Sequence, residues 1–486
     1  MALNSVKETG PGTETDVLIV GAGPTGLALA CDLARRGVRA LVVEQSDTLF
    51  PGSRGKGIQP RTMEVFDDLG VVDAVLASGG RAPVGMVWQD GSRQGEHDMF
   101  ERPGPTDTEP YGEPWLLPQW RTQQILYVRL RELGGEVSFG TALTGLSQDA
   151  YGVTAQLSTG TAATADTSTT GTSTIRAAYA VAADGGRSTV RRILSIAMNG
   201  ESVDPAPVLV ADVRIPTLDR LNWHVFPGGS AGYFAVCPLP GTDDFQAVGQ
   251  FVEGEPDTSP SGVRKLIAAR THLAEEEVTE VLWASDFRPR AAMADRFREG
   301  RVFLAGDAAH VHSPAGGQGL NTSVQDVYNL GWKLGQVLRH GALEALLDTY
   351  EQERLPVAAQ MLGLSTRIHR GEEQRGAATM QLGLGYRGGP LASGGAGALE
   401  AGDRAPDGPL PGGRRIFDLF RGPHFTLLAV GTDAELPVLD DELVHTHRIE
   451  AYEPYGKGLF LVRPDGYVGW AGEDMSGLAE YLVRCC

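Results

Sequence analysis

The sequence predicts an α/β fold interrupted by a β-rich lobe, and three features predict it. The first is Asp16-Val17-Leu18-Ile19-Val20, a short apolar run that leads into Gly21-Ala22-Gly23-Pro24-Thr25-Gly26 and then into Leu27, Ala30, Leu33 and Ala34 at helical spacing, the pattern of strand, turn and helix. The second is a return of the buried-strand pattern much later, at Val302-Phe303-Leu304-Ala305, followed by a helical stretch from Leu320 to about Arg339 with Val324, Val327, Leu330, Leu334 and Leu338 on one face. The third is the interval between them. From about residue 205 to 290, Val208-Leu209-Val210, Tyr233-Phe234-Ala235-Val236 and Gln246-Ala247-Val248-Gly249 are punctuated by Pro and Gly, the signature of an antiparallel sheet.

The elements follow in order. At 486 residues the chain exceeds one ordinary core, so two or three domains are expected. Residues 1–15 are polar and form a loose tail. Gly37 stops the first helix, and Ala40-Leu41-Val42-Val43 resumes as a strand, completing a βαβ unit. Residues 16–190 form the first part of the main domain, with strands at Val153–Leu157 and Ala178–Val181. Between those strands a Thr/Ser/Ala tract, 159–174, reads as an enlarged hairpin loop. Residues 191–290 form the β-rich lobe, 291–371 return to the main domain with its long helix, and 372–401, rich in Gly and Pro, are a linker. Residues 402–486 are a small C-terminal domain with strands at Phe425–Val430 and Gly458–Val462.

The 42 basic against 61 acidic residues leave a formal net charge of -19, which repels phosphate backbones and anionic lipid headgroups, so nucleic acid and membrane surfaces are excluded as partners. No run approaches the ~20 apolar residues of a spanning helix, and a cytoplasmic protein is expected. The four cysteines, Cys31, Cys237, Cys485 and Cys486, form no CxxC pair and no metal spacing. That usage fits a reducing compartment.

In Gly21-x-Gly23-x-x-Gly26 the first glycine makes the tight turn, the second admits a pyrophosphate to the backbone, and the third lets helix and sheet pack. Glu44 ends the second strand, where a carboxylate can bind a ribose hydroxyl. Two later segments turn an adenine dinucleotide into FAD. Asp307, just beyond the strand Val302–Ala305, can hold a polyol chain such as the ribityl of a flavin. The run Pro314-Ala315-Gly316-Gly317-Gln318-Gly319-Leu320-Asn321 strips side chains from the backbone, so that a flat ring can lie against main-chain N–H groups at a helix start.

With GAGPTG, the stretch Ala183-Asp184-Gly185-Gly186-Arg187-Ser188-Thr189-Val190-Arg191 and GDAAHVHSPAGGQGLN (Gly306–Asn321) in this order, the chain resembles the class A FAD-dependent aromatic monooxygenases of the para-hydroxybenzoate hydroxylase fold. Ser53–Thr62 and Leu117–Thr122 extend the resemblance over almost the whole chain. Gly402-Asp403-Arg404-Ala405-Pro406-Asp407 and Leu461–Trp470 are similar to the thioredoxin-like extension of a narrower group, the hydroxylases of aromatic polyketide antibiotic pathways and rifampicin monooxygenase. That extension has no CxxC pair here, so a thioredoxin-type dithiol function is not expected, and packing or oligomer contact is its expected role.

The resemblance implies that Gly21, Gly23, Thr25 and Gly26 meet the pyrophosphate, Glu44 the adenosine ribose and Gln45 the adenosine end. It implies that Arg54, Gln119 and Asp307 flank the rest of FAD, and that Pro314, Gly319, Leu320 and Asn321 lie at the flavin, the last two through backbone N–H groups. For Asp184 two accounts stand: support of FAD and of the transient nicotinamide cofactor, or a cap on the following helix. Lys56 stands where relatives often carry Arg, a point charge for a planar fork. His310 and His312 sit at an H-x-H spacing, but His310 falls on a motif histidine, so no metal is expected. Trp223, Phe226 and Tyr233 either line a pocket for a flat substrate or pack a sheet face.

The implied reaction consumes NADPH or NADH and O2, and hydroxylates an aromatic, polycyclic polyketide-like substrate through a flavin C4a-hydroperoxide. Baeyer–Villiger insertion or epoxidation on the same fold, a flavin dehydrogenase, and a non-catalytic nucleotide-binding protein are the rival readings. No catalytic acid or base is identifiable, and a homodimer is allowed without being selected.

Overall fold

The protein is described here from a computed structural model covering residues 14–160, 171–228 and 232–486. Most of the expected tail and the central part of the Thr/Ser/Ala tract therefore lie outside the described residues. Thr15 already belongs to the first strand, and Gly171–Thr174 continue a strand rather than a loop.

That first strand, Thr15–Val20, is buried throughout and runs parallel to both Ala40–Val43 and Gly171–Ala182, with Leu18 opposite Leu41 and Ala180. Val302–Leu304 adds in parallel on the far side of Gly171–Ala182. A strand apolar on both faces requires cover on both. The helix Pro24–Arg35 supplies part of it and packs closely on the long helix Gly319–Gly335. Their approach depends on Gly331, where a Cβ would lie 2.2 Å from Asp32 Oδ2. The long helix has no solvent face: every residue from Asn321 to Gly335 is buried, including polar ones, so the one-face pattern of its sequence understates its burial.

The β-rich lobe is a seven-stranded sheet in the order 280–287, 208–214, 244–250, 234–238, 222–226, 84–89, 92–97. Its last two strands come from within 16–190, because Val84–Gln89 pairs in parallel with Asn222–Phe226. The lobe is thus built from two separated segments rather than from 191–290 alone. One face carries Leu209, Val213, Phe226, Phe234, Val236 and Phe245 beneath the helix Pro260–Arg270. The opposite face meets the main domain.

The expected linker, 372–401, is packed. Met380, Gln381, Leu384, Tyr386 and Leu391 are buried, and Ser393–Ala396 pairs with Val468–Gly472. Its Gly and Pro content serves tight turns against a folded surface and not chain mobility. The C-terminal domain is the thioredoxin-like mixed sheet expected, with Phe425–Val430 parallel to Val444–Ile449 and antiparallel to Gly458–Val462. Phe425, Leu427, Leu459 and Tyr481 on one of its faces merge into the core of the main domain. No helix of the described residues is long and apolar enough to cross a membrane.

Candidate active site

The glycine turn is built by steric necessity at two positions and left open at the third. Gly21 has φ of +105°, and a Cβ there would lie 2.4 Å from the Ala183 carbonyl oxygen; one on Gly26 would lie 2.0 Å from the Gly21 oxygen. A Cβ on Gly23 would meet nothing within 4 Å. The helix that begins at Pro24 has no side-chain cap, which leaves its first N–H groups and the positive end of its dipole directed outward. Glu44 accepts from the Ala22 N–H at 2.9 Å through Oε2 and from the Ser46 N–H at 3.0 Å through Oε1, so its carboxylate is fixed beside the turn. Gln45 is exposed next to it.

Thr25 reaches the start of the Gly306–Asn321 motif, since a Cβ on Gly306 would lie 2.8 Å from its Oγ1. Asp307 follows, open to solvent but ringed by protein. Burial raises its carboxyl, against the lowering effect of the His310 and Arg54 charges. This turn is held from below: Asp326 accepts from the Gly306 N–H at 3.0 Å, lies 2.5 Å from His310 Nε2, and receives Arg354 Nε at 2.8 Å. His312 Nε2 is 3.0 Å from His310 Nδ1. The two histidines are thereby part of an internal hydrogen-bond chain.

At the third motif, Ser313 caps the short turn Pro314–Gly316, Gly317 is left-handed with φ of +63°, and the long helix starts at Gly319 without a side-chain cap. Gly55 N–H donates to Gln119 Oε1 at 3.0 Å, and a Cβ on Gly55 would lie 3.4 Å from Leu320 Cδ1. Arg54 is exposed, 5.3 Å from the Phe50 ring centre. The Asn321 side chain does what its backbone was not expected to do. It accepts from the Gln59 N–H at 2.8 Å and donates to the Gly57 and Gly317 carbonyls at 2.9 Å each, stapling the 52–59 segment to the glycine loop.

Both accounts of Asp184 keep a footing. Oδ2 accepts from the Thr189 and Val190 N–H groups at 2.7 and 3.2 Å, which is the helix cap, while Oδ1 is buried without a partner among the described residues. Burial raises this carboxyl as well.

The aromatic set splits. Side chains alternate along Asn222–Phe226, and Phe226 points into the lobe's own core, stacked 6.0 Å from Trp88. Its expected place at a substrate pocket is therefore corrected: it lies on the wrong face of its strand. Trp223 points the other way, toward the main domain, with Lys56 Nζ 4.3 Å from its ring centre and Phe100 at 6.2 Å. Tyr233 is 43% exposed, and the packing around its hydroxyl pushes its pKa up to about 12.

Lys56 is directed to the sheet. Its ammonium donates to Gln246 Oε1; Gln246 Nε2 donates to Ser53 Oγ at 2.8 Å; and Asp212 receives both the hydroxyl and, at 2.8 Å, the N–H of Ser53. Burial pushes Asp212 up to about 6 and Lys56 down. Arg375, from the misread linker, joins this face: it donates to the Ala315 carbonyl at 2.7 and 3.0 Å and lies 5.1 Å from the Phe100 ring centre. Sequence reasoning missed Ser53, Asp212, Gln246 and Arg375. Nothing local marks them, since they meet only through sheet register and a packed connection.

Comparison with known proteins gives the same outline. The FAD binding domain family matches residues 14–365, and the aromatic-ring hydroxylase C-terminal family matches 399–486. A flavin-dependent monooxygenase of Mycobacteroides abscessus is 44% identical, covering 96% of this chain and 99% of its own. A 12-dehydrotetracycline 5-monooxygenase/anhydrotetracycline 6-monooxygenase of Streptomyces rimosus is 33% identical over 95% and 96%. The solved ternary complex of aklavinone-11 hydroxylase with FAD and aklavinone superposes with a TM-score of 0.81 at 30% identity, covering 97% and 99%.

Proposed function

The chain belongs to the FAD-dependent aromatic-ring monooxygenases, and on that premise we propose that it hydroxylates a polycyclic, polyketide-like aromatic with NADPH or NADH as transient reductant and O2 as oxygen donor. Relatives named for 12-dehydrotetracycline, anhydrotetracycline and aklavinone support the substrate class. The observation that supports the site assignment is a set of approaches between sequence-distant motifs: Thr25 against Gly306, Gly55 against Gln119 and Leu320, and Asn321 stapled to Gln59.

The residues fit FAD. The open backbone at Gly23 and the uncapped helix start would receive the pyrophosphate, Glu44 and Gln45 the adenosine end, Asp307 and Arg54 the central chain, and Gly319, Leu320 and Asn321 the ring. FAD, when bound, accepts hydride from the nicotinamide and activates O2. The protein's part is to hold and exclude. The N–H groups at the start of the long helix would stabilise negative charge on the bound ring, and Asn321 keeps the loop and the 52–59 segment together. The buried Oδ1 of Asp184, without a partner among the described residues, keeps the ligand-supporting account of this residue open.

The test is direct. Purified protein is expected to be yellow, to release FAD on denaturation, and to oxidise NADPH faster when a polycyclic phenol is added. Under 18O2, one labelled oxygen is expected on the ring. Colourless protein that stays so after FAD is added would refute the assignment; a labelled lactone would replace hydroxylation by Baeyer–Villiger insertion, and a labelled epoxide would replace it by epoxidation.

A further inference from the structure

Around Trp223 the chain gathers hydrogen-bond donors in excess of acceptors. Among the described residues the Lys56 ammonium has three N–H groups and one hydrogen-bond partner, Gln246 Oε1, and Trp223 Nε1 is buried without an acceptor. Arg375 commits Nε and Nη2 to the Ala315 carbonyl, and Nη1 has no partner among the described residues. Neither cation forms an ion pair among the described residues, in a protein whose overall charge is -19. The charged and titratable groups near them are Asp212, which lies behind Ser53 and Gln246; Glu101, whose carboxylate sits against Gly376 beside Arg375 without an ion pair to it among the described residues; the Cys237 thiol, which burial pushes up to about 11; and the Tyr233 hydroxyl, pushed up to about 12. The two cations feel each other, and burial works against the charge of both.

Both cations are also tied to the loop assigned to the flavin ring. Arg375 grips Ala315, and the residue after Lys56, Gly57, accepts from Asn321. Phe100 and Trp223 form an apolar surface between them, with Arg375 over the one ring and Lys56 over the other. Two desolvated cations with spare donors and no counter-ion are costly unless a ligand supplies the missing negative charge.

We propose that Lys56 and Arg375 are a paired clamp for an ionised oxygen of the substrate, so that this enzyme selects phenolate or enolate forms of a flat polycyclic ring over neutral ones. The proposal rests on the hydroxylase reading of the same site. Trp223 and Phe100 take the ring face, Lys56 and Arg375 the acidic oxygen, and Gln246 with Ser53 and Asp212 orients Lys56. The interaction is charge-assisted hydrogen bonding, with no covalent step.

The experiment uses the FAD-loaded enzyme and equilibrium titration, read by tryptophan quenching and the flavin absorption band. The probes are 1,2-dihydroxyanthraquinone and its dimethyl ether, over a pH range in which the former ionises. Wild type is expected to bind the dihydroxy probe at least about tenfold more tightly than the ether, with affinity rising as the probe ionises. Lys56→Gln and Arg375→Gln are each expected to erase most of that preference, and Lys56→Arg to restore part of it, with affinities referred to the flavin-loaded, folded fraction of each variant. Binding of the two probes within about threefold of each other in wild type, or failure of the ionised probe to bind, overturns the clamp. So does a preference that survives both Gln variants. Oxygen incorporation from 18O2 is scored on the same preparation. Anion preference without oxygenation sinks the hydroxylase reading and leaves the clamp; oxygenation without anion preference does the reverse.

Discussion

Three glycines within six residues have different reasons to be glycine. At Gly21 and Gly26 a Cβ would collide with backbone oxygens, whereas at Gly23 it would enter open space. Gly21→Ala is therefore expected to cost roughly 1–3 kcal/mol of folding stability with or without flavin. Gly23→Ala is expected to keep the flavin-free denaturation midpoint within about 1 kcal/mol while lowering flavin occupancy. Urea titration of flavin-free protein and the ratio of flavin to protein absorbance separate the two. A Gly23→Ala protein that retains full flavin removes the turn as the pyrophosphate site. These glycines were legible in the sequence because their requirement is local. Lys56 was not: its sequence neighbours place it beside a segment proposed to contact the flavin, yet its partners Gln246 and Trp223 come from two strands of another lobe.

Elements decide which face a residue serves, and here the alternation of one strand settles two aromatics in opposite senses. Phe226→Ala opens a cavity under the helix Pro260–Arg270 and is expected to cost about 3–5 kcal/mol, read as a lower midpoint with ligand affinity nearly unchanged in what remains folded. Trp223→Ala is expected to behave conversely, weakening substrate binding with a smaller effect on the midpoint. If both variants lose stability equally with no change in ligand affinity, the Trp223 face is structural packing. The strands at 16–20, 40–43, 302–304, 425–430 and 458–462, the first helix and the long helix were legible from periodicity, which reports burial along a single element. The placement of Val84–Gln89 in the lobe and the packing of 372–401 were not. Pairing partners and the surface under a Gly-rich stretch are set by distant chain.

At the scale of the molecule, the C-terminal domain is locked to the long helix by buried charge. Glu353 receives Lys333 at 2.7 Å and Arg463 at 2.6 Å, Arg463 also pairs with Asp465 at 2.5 Å, and Asp465 accepts from Trp332 Nε1 at 3.2 Å. Although burial alone would raise it, the Arg463 and Lys333 charges bring the Glu353 carboxyl down to about 2, from 4.5 in an unfolded chain. A depressed carboxyl stabilises the fold above its unfolded value and loses that contribution as pH falls toward the folded one. Each pKa unit is worth about 1.4 kcal/mol, so the whole contribution is on the order of 3 kcal/mol, fully present near pH 6 and largely gone near pH 2. Glu353→Gln leaves two buried cations facing Asp465 alone, with an expected loss of about 3–5 kcal/mol near neutrality. Because the variant lacks the titrating group, the gap between wild type and variant is expected to narrow as pH is lowered from 6 to 3, with one cooperative transition in each. Denaturation curves at those pH values check this. A constant gap, or a C-terminal domain that melts separately from the flavin-binding core, would show that the network does not join the two. Arg463-Pro464-Asp465-Gly466 is visible in the sequence as a turn, but its partner Glu353 lies on a helix of the other domain, so nothing short of the folded chain brings the four charges together.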